Sequence, residues 1–230
     1  MIVLKAFNDT NVSIAYVFLF EPQNTISKHI ICKEYDEVYW SNNVFGEFQD
    51  CVIEKQDNLL EFYEKLEIEL YSYGKFDYSF KQLENFAKNF SYADEKQKED
   101  VLSSLKQFWN YYFQHSNKCV TENMIESLKD FNTLLKVTVF KRMTFCEKKH
   151  ILTDNLHKRT KQYPKLSKTL KKNEVHKKDR IIALDAHDFS KTLDKPLDFI
   201  TFDRTCYNGV LKSKLYFNKV KGLKDYAFLT

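Results

Sequence analysis

Residues 2–12 read IVLKAFNDTNV, and this stretch decides the fold class. The apolar run Ile2–Phe7 fits a buried parallel strand. Asn8-Asp9-Thr10-Asn11 follows with turn and N-cap chemistry, and Val12–Phe20 reads as a helix ended by Glu21-Pro22. A strand, a tight turn and a helix, with an acid where the strand ends, open an α/β fold. In open α/β sheets that strand end is where sites form.

Working outward, His29–Cys32 and Glu37–Trp40 are strand candidates. Ser41 then caps a helix through Val44 and Phe48, with Glu47 in its second turn. Residues 57–145 carry helical stripes: Leu59, Phe62, Tyr63, Leu66 and Leu70 make one, and Val101, Leu105, Phe108, Trp109 and Tyr112 the clearest. Such stripes are core packing first and an interaction surface only second. Late in the chain, Asp179–Phe189 reads as a helix and Phe199–Phe202 as a short strand ending at Asp203. Leu211–Val220 alternates in part, as a last strand or hairpin would.

Composition narrows the function. With 230 residues and 43% apolar content, a packed core is within reach. Only four glycines and three prolines argue for long helices rather than a many-turned β-sandwich. Five scattered cysteines, with no C-x-x-C spacing, read as a reduced cytoplasmic protein without structural zinc. No stretch has the length of a membrane span or the pattern of a signal peptide. There is no G-x-x-x-x-G-K, no G-x-S-x-G and no Cys–His signature, so NTPase, hydrolase-elbow and thiol-protease readings lack support.

Charge is uneven beneath a net +4. Residues 50–100 hold 13 acids against 7 lysines, whereas residues 148–178 hold 11 Lys/Arg against two acids. This basic tract lacks apolar periodicity and reads as a mobile loop or partly helical arm. Its Lys158, Arg159, Lys161, Lys165, Lys168, Lys171 and Lys172 suit a polyanion's phosphates, and Tyr163 and His157 suit stacking on bases.

Four acids fall at ends of apolar runs or starts of helices: Asp9, Glu47, Asp179 and Asp203. Taken singly, each has a plainer reading: an N-cap, an exposed helical acid, a helix-dipole partner, a strand-end turn. Gathered together they would repel unless a hard cation such as Mg²⁺ or Mn²⁺ neutralised them. Asp185 competes with Asp179, but six positions on it lies roughly 240° around the helix and serves as a reserve. His187-Asp188 reads as a surface pair.

In this order the motifs resemble the PIN domain, a family of metal-dependent nucleases. The resemblance rests on Asp9-Thr10-Asn11-Val12, on Ser41, Val44 and Glu47, on Asp179, Ile182, Ala183 and Ala186, and on Thr201 and Asp203. It covers roughly residues 1–50 and 175–210. It implies a three-layer α/β/α sandwich with a mostly parallel central sheet. The division expected is 1–56 and 175–230 as a PIN-like catalytic core, 57–146 as a large helical insertion, and 147–178 as a basic loop or arm. The resemblance implies that Asp9, Glu47, Asp179 and Asp203 converge as catalytic metal ligands, supported by Thr201, Asn11 and Ser41. It further implies cleavage of RNA, with DNA left open. It leaves room for a toxin of a toxin–antitoxin pair, an antitoxin or other protein partner, and a homodimer. The alternative reading is a non-catalytic PIN-like module binding nucleic acid or protein.

Overall fold

In the computed structural model, which describes residues 3–73, 77–153 and 159–229, five parallel strands form one sheet. They are β1 (Lys5–Asn8), β2 (Glu37–Ser41), β5 (His150–Thr153), β6 (Asp198–Ile200) and β7 (Val220–Lys221), in the spatial order β5-β2-β1-β6-β7. A separate antiparallel ladder joins β3 (Asp77–Tyr78) to β4 (Cys119–Val120).

The helices in the sheet-containing unit are α1 (Thr10–Val17), α2 (Asn24–His29) with a wider turn over Ile30–Glu34, α7 (Arg159–Gln162), α8 (Pro164–Lys172), α9 (Lys177–Ser190) and α10 (Arg204–Lys212). This unit comprises residues 1–17, 22–51 and 143–230. A second unit comprises residues 18–21 and 52–142 and contains α4 (Phe80–Asn89) and α5 (Glu95–Phe113). Two long helices, α3 (Asn42–Tyr73) and α6 (Thr121–Lys149), contribute residues to both units.

Strand pairing places Ala6 beside Val38 and Asp198, and Phe7 beside Tyr39 and Phe199. Side chains alternate along a strand, so the two sets point to opposite faces. On one face Ala6, Val38 and Ile200 pack with Val12 of α1, Ile26 of α2, Ile30 and Tyr226. On the other, Phe7 stacks on Phe199 at 6.3 Å between ring centroids, and Tyr39 meets Phe189 of α9 at 4.7 Å. Helical segments thus cover both faces of a buried parallel sheet, consistent with a three-layer α/β/α sandwich.

The second unit packs aromatics. Tyr63 of α3 contacts Phe108 and Phe131, and its hydroxyl meets Ser104 at 2.8 Å. Lys55 pairs with Glu21 and Asp100 and lies over the Phe18 and Phe20 rings. Among the described residues no helix is long and apolar enough to cross a membrane.

Two expectations are corrected. His29–Cys32 is helical rather than extended, because Ile26 and Ile30 lie one helical turn apart and both enter the core beside Val12. Leu211–Val220 is no hairpin: α10 runs to Lys212, Lys214 takes a left-handed φ of 52°, and only Val220–Lys221 joins the sheet, parallel to β6. Within the basic tract, the described residues form β5, which pairs with β2, and the helices α7 and α8, with Leu170 of α8 completely buried.

Candidate active site

The chain runs β1 to β2 to β5 toward one edge, then crosses back to place β6 and β7 on the other side of β1. Strand order therefore reverses between β1 and β6. Loops leaving two such strands diverge to opposite faces and leave a crevice at their C-terminal ends, where open α/β sheets bind ligands. Asp9 follows β1 directly, and Thr201 and Asp203 follow β6. The Asp9 amide donates to the Ile200 carbonyl at 2.9 Å, which extends the β1–β6 pairing to the acid itself.

Asp9 is 4% exposed and held by three donors. The Thr10 amide reaches Oδ1 at 2.8 Å, and the Asn11 side-chain amide and the Thr201 hydroxyl reach Oδ2 at 3.0 and 2.6 Å. Asn11 is fixed in turn by accepting the Phe202 amide at 2.9 Å. Thr201 also accepts the Asp203 amide at 3.1 Å. Asp203 caps α10, its Oδ1 accepting from the Cys206 amide at 2.6 Å.

Glu47 comes from α3. Ser41 at the end of β2 accepts the Val44 amide at 3.3 Å and so directs the start of that helix. Glu47 Oε2 accepts the Thr10 hydroxyl at 2.8 Å, and Lys178 lies 3.5 Å from Oε1. Asp179 sits in the first turn of α9, where the helix dipole favours an anion. Asp185, six positions on, is buried and accepts from the Asn43 side chain at 2.8 Å. It therefore braces α9 against the start of α3.

The four acids share one electrostatic neighbourhood. Burial pushes the Asp9 carboxyl up to about 7, and the charges of Asp179 and Glu47 add to this, against the Thr201 and Thr10 hydrogen bonds. Burial raises Asp179 as well, helped by Asp203 and Glu47 and opposed by His176 and Lys178. The buried Cys206 thiol is held far above its ordinary range, first by burial and then by Asp9, Asp179 and Asp203. It is no nucleophile.

Among the described residues, however, no three His, Cys, Asp or Glu side chains stand close enough to enclose a metal ion. The donor chemistry nonetheless fits a hard divalent cation: four carboxylates, three of them mutually coupled. Mg²⁺ commonly keeps several waters and takes only one or two protein carboxylates directly, so a closed cage is not required.

The remaining candidates divide. Lys161, Lys165, Lys168, Lys171 and Lys172 are exposed on α7 and α8. Arg159 opens α7. Lys158 and His157 lie outside the described residues. Tyr163 is not free to stack on bases: its hydroxyl bonds Asp188, its ring meets His187 edge-on at 5.2 Å, and Lys191 lies over it. His187 is buried rather than a surface residue, and its Nδ1 accepts the Tyr216 amide at 2.8 Å. Thr10 and Asn43 were not candidates from sequence. A hydroxyl beside the first acid was the only signal for Thr10, and it reads equally as a helix start.

Compared with protein-family models, curated proteins and solved structures, the chain matches none.

Proposed function

We propose that this chain is a PIN-like, divalent-metal-dependent nuclease that hydrolyses phosphodiester bonds, with RNA the favoured substrate. One observation carries the reading: Asp9, Glu47, Asp179 and Asp203, from four separate points of the chain, share one electrostatic field near the strand-order reversal of a parallel sheet. Stability alone does not favour such an arrangement. Like charges raise each other's pKa and weaken the fold, a cost typical of functional sites.

Asp9, Glu47, Asp179 and Asp203 would hold Mg²⁺ or Mn²⁺. When bound, the ion would polarise a phosphoryl oxygen and make water a better nucleophile. The chain's own groups do the rest. Thr201 and Asn11 fix the Asp9 carboxylate from one side, and Asp185 through Asn43 braces α9 against α3. The exposed lysines of α7 and α8 supply point charges for phosphates, which position a strand without reading its sequence.

The test is cleavage of a single-stranded RNA by purified protein with Mn²⁺ supplied. Asp9→Asn is expected to lose activity while keeping its fold. Equal activity of Asp9→Asn and wild type overturns the assignment.

A second reading, a non-catalytic PIN-like module, has one observation in its favour. The acids are not close-set around a single point. It predicts nucleic-acid or protein binding without cleavage in any divalent cation.

A further inference from the structure

Glu47 is the one acid of the four that is carried in the interior of a long helix. A glutamate there has three side-chain torsions and, without restraint, points its carboxylate over a wide arc. In the structure it does not. Its Oε2 accepts the Thr10 hydroxyl at 2.8 Å, while its side chain keeps 26% exposure and its Oε1 faces outward toward Lys178.

Thr10 is suited to impose this. It is 6% exposed, so its hydroxyl has little access to competing water. Its β-branched side chain is stiff about χ1. Its amide is committed to Asp9 Oδ1 at 2.8 Å, which fixes the backbone from which the hydroxyl projects. The hydroxyl goes to Glu47 rather than to a backbone group of its own helix, as a simple cap would have it. One residue therefore touches two acids, one through its backbone and the other through its side chain.

We propose that Thr10 is a positioning residue that holds the Glu47 carboxylate toward Asp9, turning one oxygen inward and presenting the other, which faces the exposed Lys178 in the metal-free chain, to the cation in that lysine's place. This role rests on the metal-dependent reading above. Hydrogen bonds from beyond the ligand shell commonly orient ligating carboxylates, and their loss typically costs about 10–100-fold in affinity or activity.

The experiment is calorimetric titration of Mn²⁺ into wild type, Thr10→Val, Thr10→Ser, Glu47→Gln and the Thr10→Val/Glu47→Gln double variant, each checked by its melting temperature. Valine keeps the branched shape and removes only the hydroxyl. The expected result is affinity weakened about tenfold or more in Thr10→Val and restored in Thr10→Ser. In the Glu47→Gln background, Thr10→Val costs nothing further, because the two residues act as a unit. A merely structural role would lower the melting temperature equally in both backgrounds and leave Mn²⁺ affinity unchanged. If Thr10→Val does not fold, Thr10→Ala is read in its place. Wild-type affinity in the hydroxyl-free variants overturns the role of Thr10 and leaves the metal site standing. No saturable Mn²⁺ binding to folded wild type overturns the metal reading itself, and the role of Thr10 with it.

Discussion

The Thr201 hydroxyl donates to Asp9 Oδ2 at 2.6 Å, joining residues 192 positions apart in sequence. The contact spans the point where strand order reverses, so the hydroxyl orients the acid that defines the site. Thr201 is fully buried, and its oxygen also accepts the Asp203 amide. Thr201→Val leaves a buried carboxylate one donor short and a backbone amide without its acceptor. A stability loss of about 1–3 kcal/mol is expected by urea denaturation. Cleavage should fall about 10–100-fold, with Thr201→Ser retaining most of it.

Asp179 should trade stability for function. Burial and the charges of Asp203 and Glu47 raise its pKa, so its ionised form weakens the fold at every pH above that raised value. With chelator present at pH 8, Asp179→Asn should stabilise the protein by a few tenths to about 1 kcal/mol, the scale of partly exposed charge pairs. The gain should shrink as pH falls below the raised value and disappear only below the ordinary carboxylate value, where Asp179 is protonated in both states. The same variant should be inactive. Thermal melts from pH 4 to pH 8 check the sign.

Gly209 of α10 packs against the turn that leads into α9. A Cβ there would lie 2.2 Å from Val175 Cγ2 and 2.6 Å from the Asn173 carbonyl oxygen. The valine methyl can turn aside, but the carbonyl belongs to a turn tied to α10 by the Asn173–Ser213 hydrogen bond. Gly209→Ala is expected to destabilise by about 1–3 kcal/mol, the usual cost of overpacking, measured by urea denaturation.

His150 predicts an acid-side loss of stability. It lies between Trp40, stacked at 4.2 Å, and the Asn8 and Ser13 side chains, and its Nδ1 faces the Cys146 carbonyl at 2.8 Å. Burial, with Lys149 adding to it, holds its pKa at about 4, below the ordinary 6.5. The unfolded chain therefore takes up the proton first. Stability is full above pH 6.5 and falls as pH drops toward 4, by at most about 3 kcal/mol. His150→Gln should flatten this part of the stability–pH curve, whatever its own stability.

The elements that frame the site were legible because local chemistry and tertiary structure agree in them. An apolar run, an Asp-Thr-Asn turn and a helical period specify β1, Asp9 and α1 together, and the same logic holds for Ser41 at the head of α3. Disagreements arise where pairing at a distance decides. The strand β5 is four residues directly after a 29-residue helix, with no glycine or proline between them, and only its alignment with β2 makes it a strand. The alternation of Leu211–Val220 looks like a strand, yet α10 runs on to Lys212 and of this stretch only Val220 joins the sheet, through pairing with β6. The link between Thr10 and Glu47 spans 37 residues and two elements, so no local pattern announces it.

The most direct test of the account is a calorimetric titration of Mn²⁺ into metal-free wild type and Asp9→Asn, with the fold of each verified. A site built from Asp9, Glu47, Asp179 and Asp203 predicts saturable binding to wild type and its loss in Asp9→Asn. Folded wild type that shows no saturable heat, or Asp9→Asn that binds as wild type does, would contradict it.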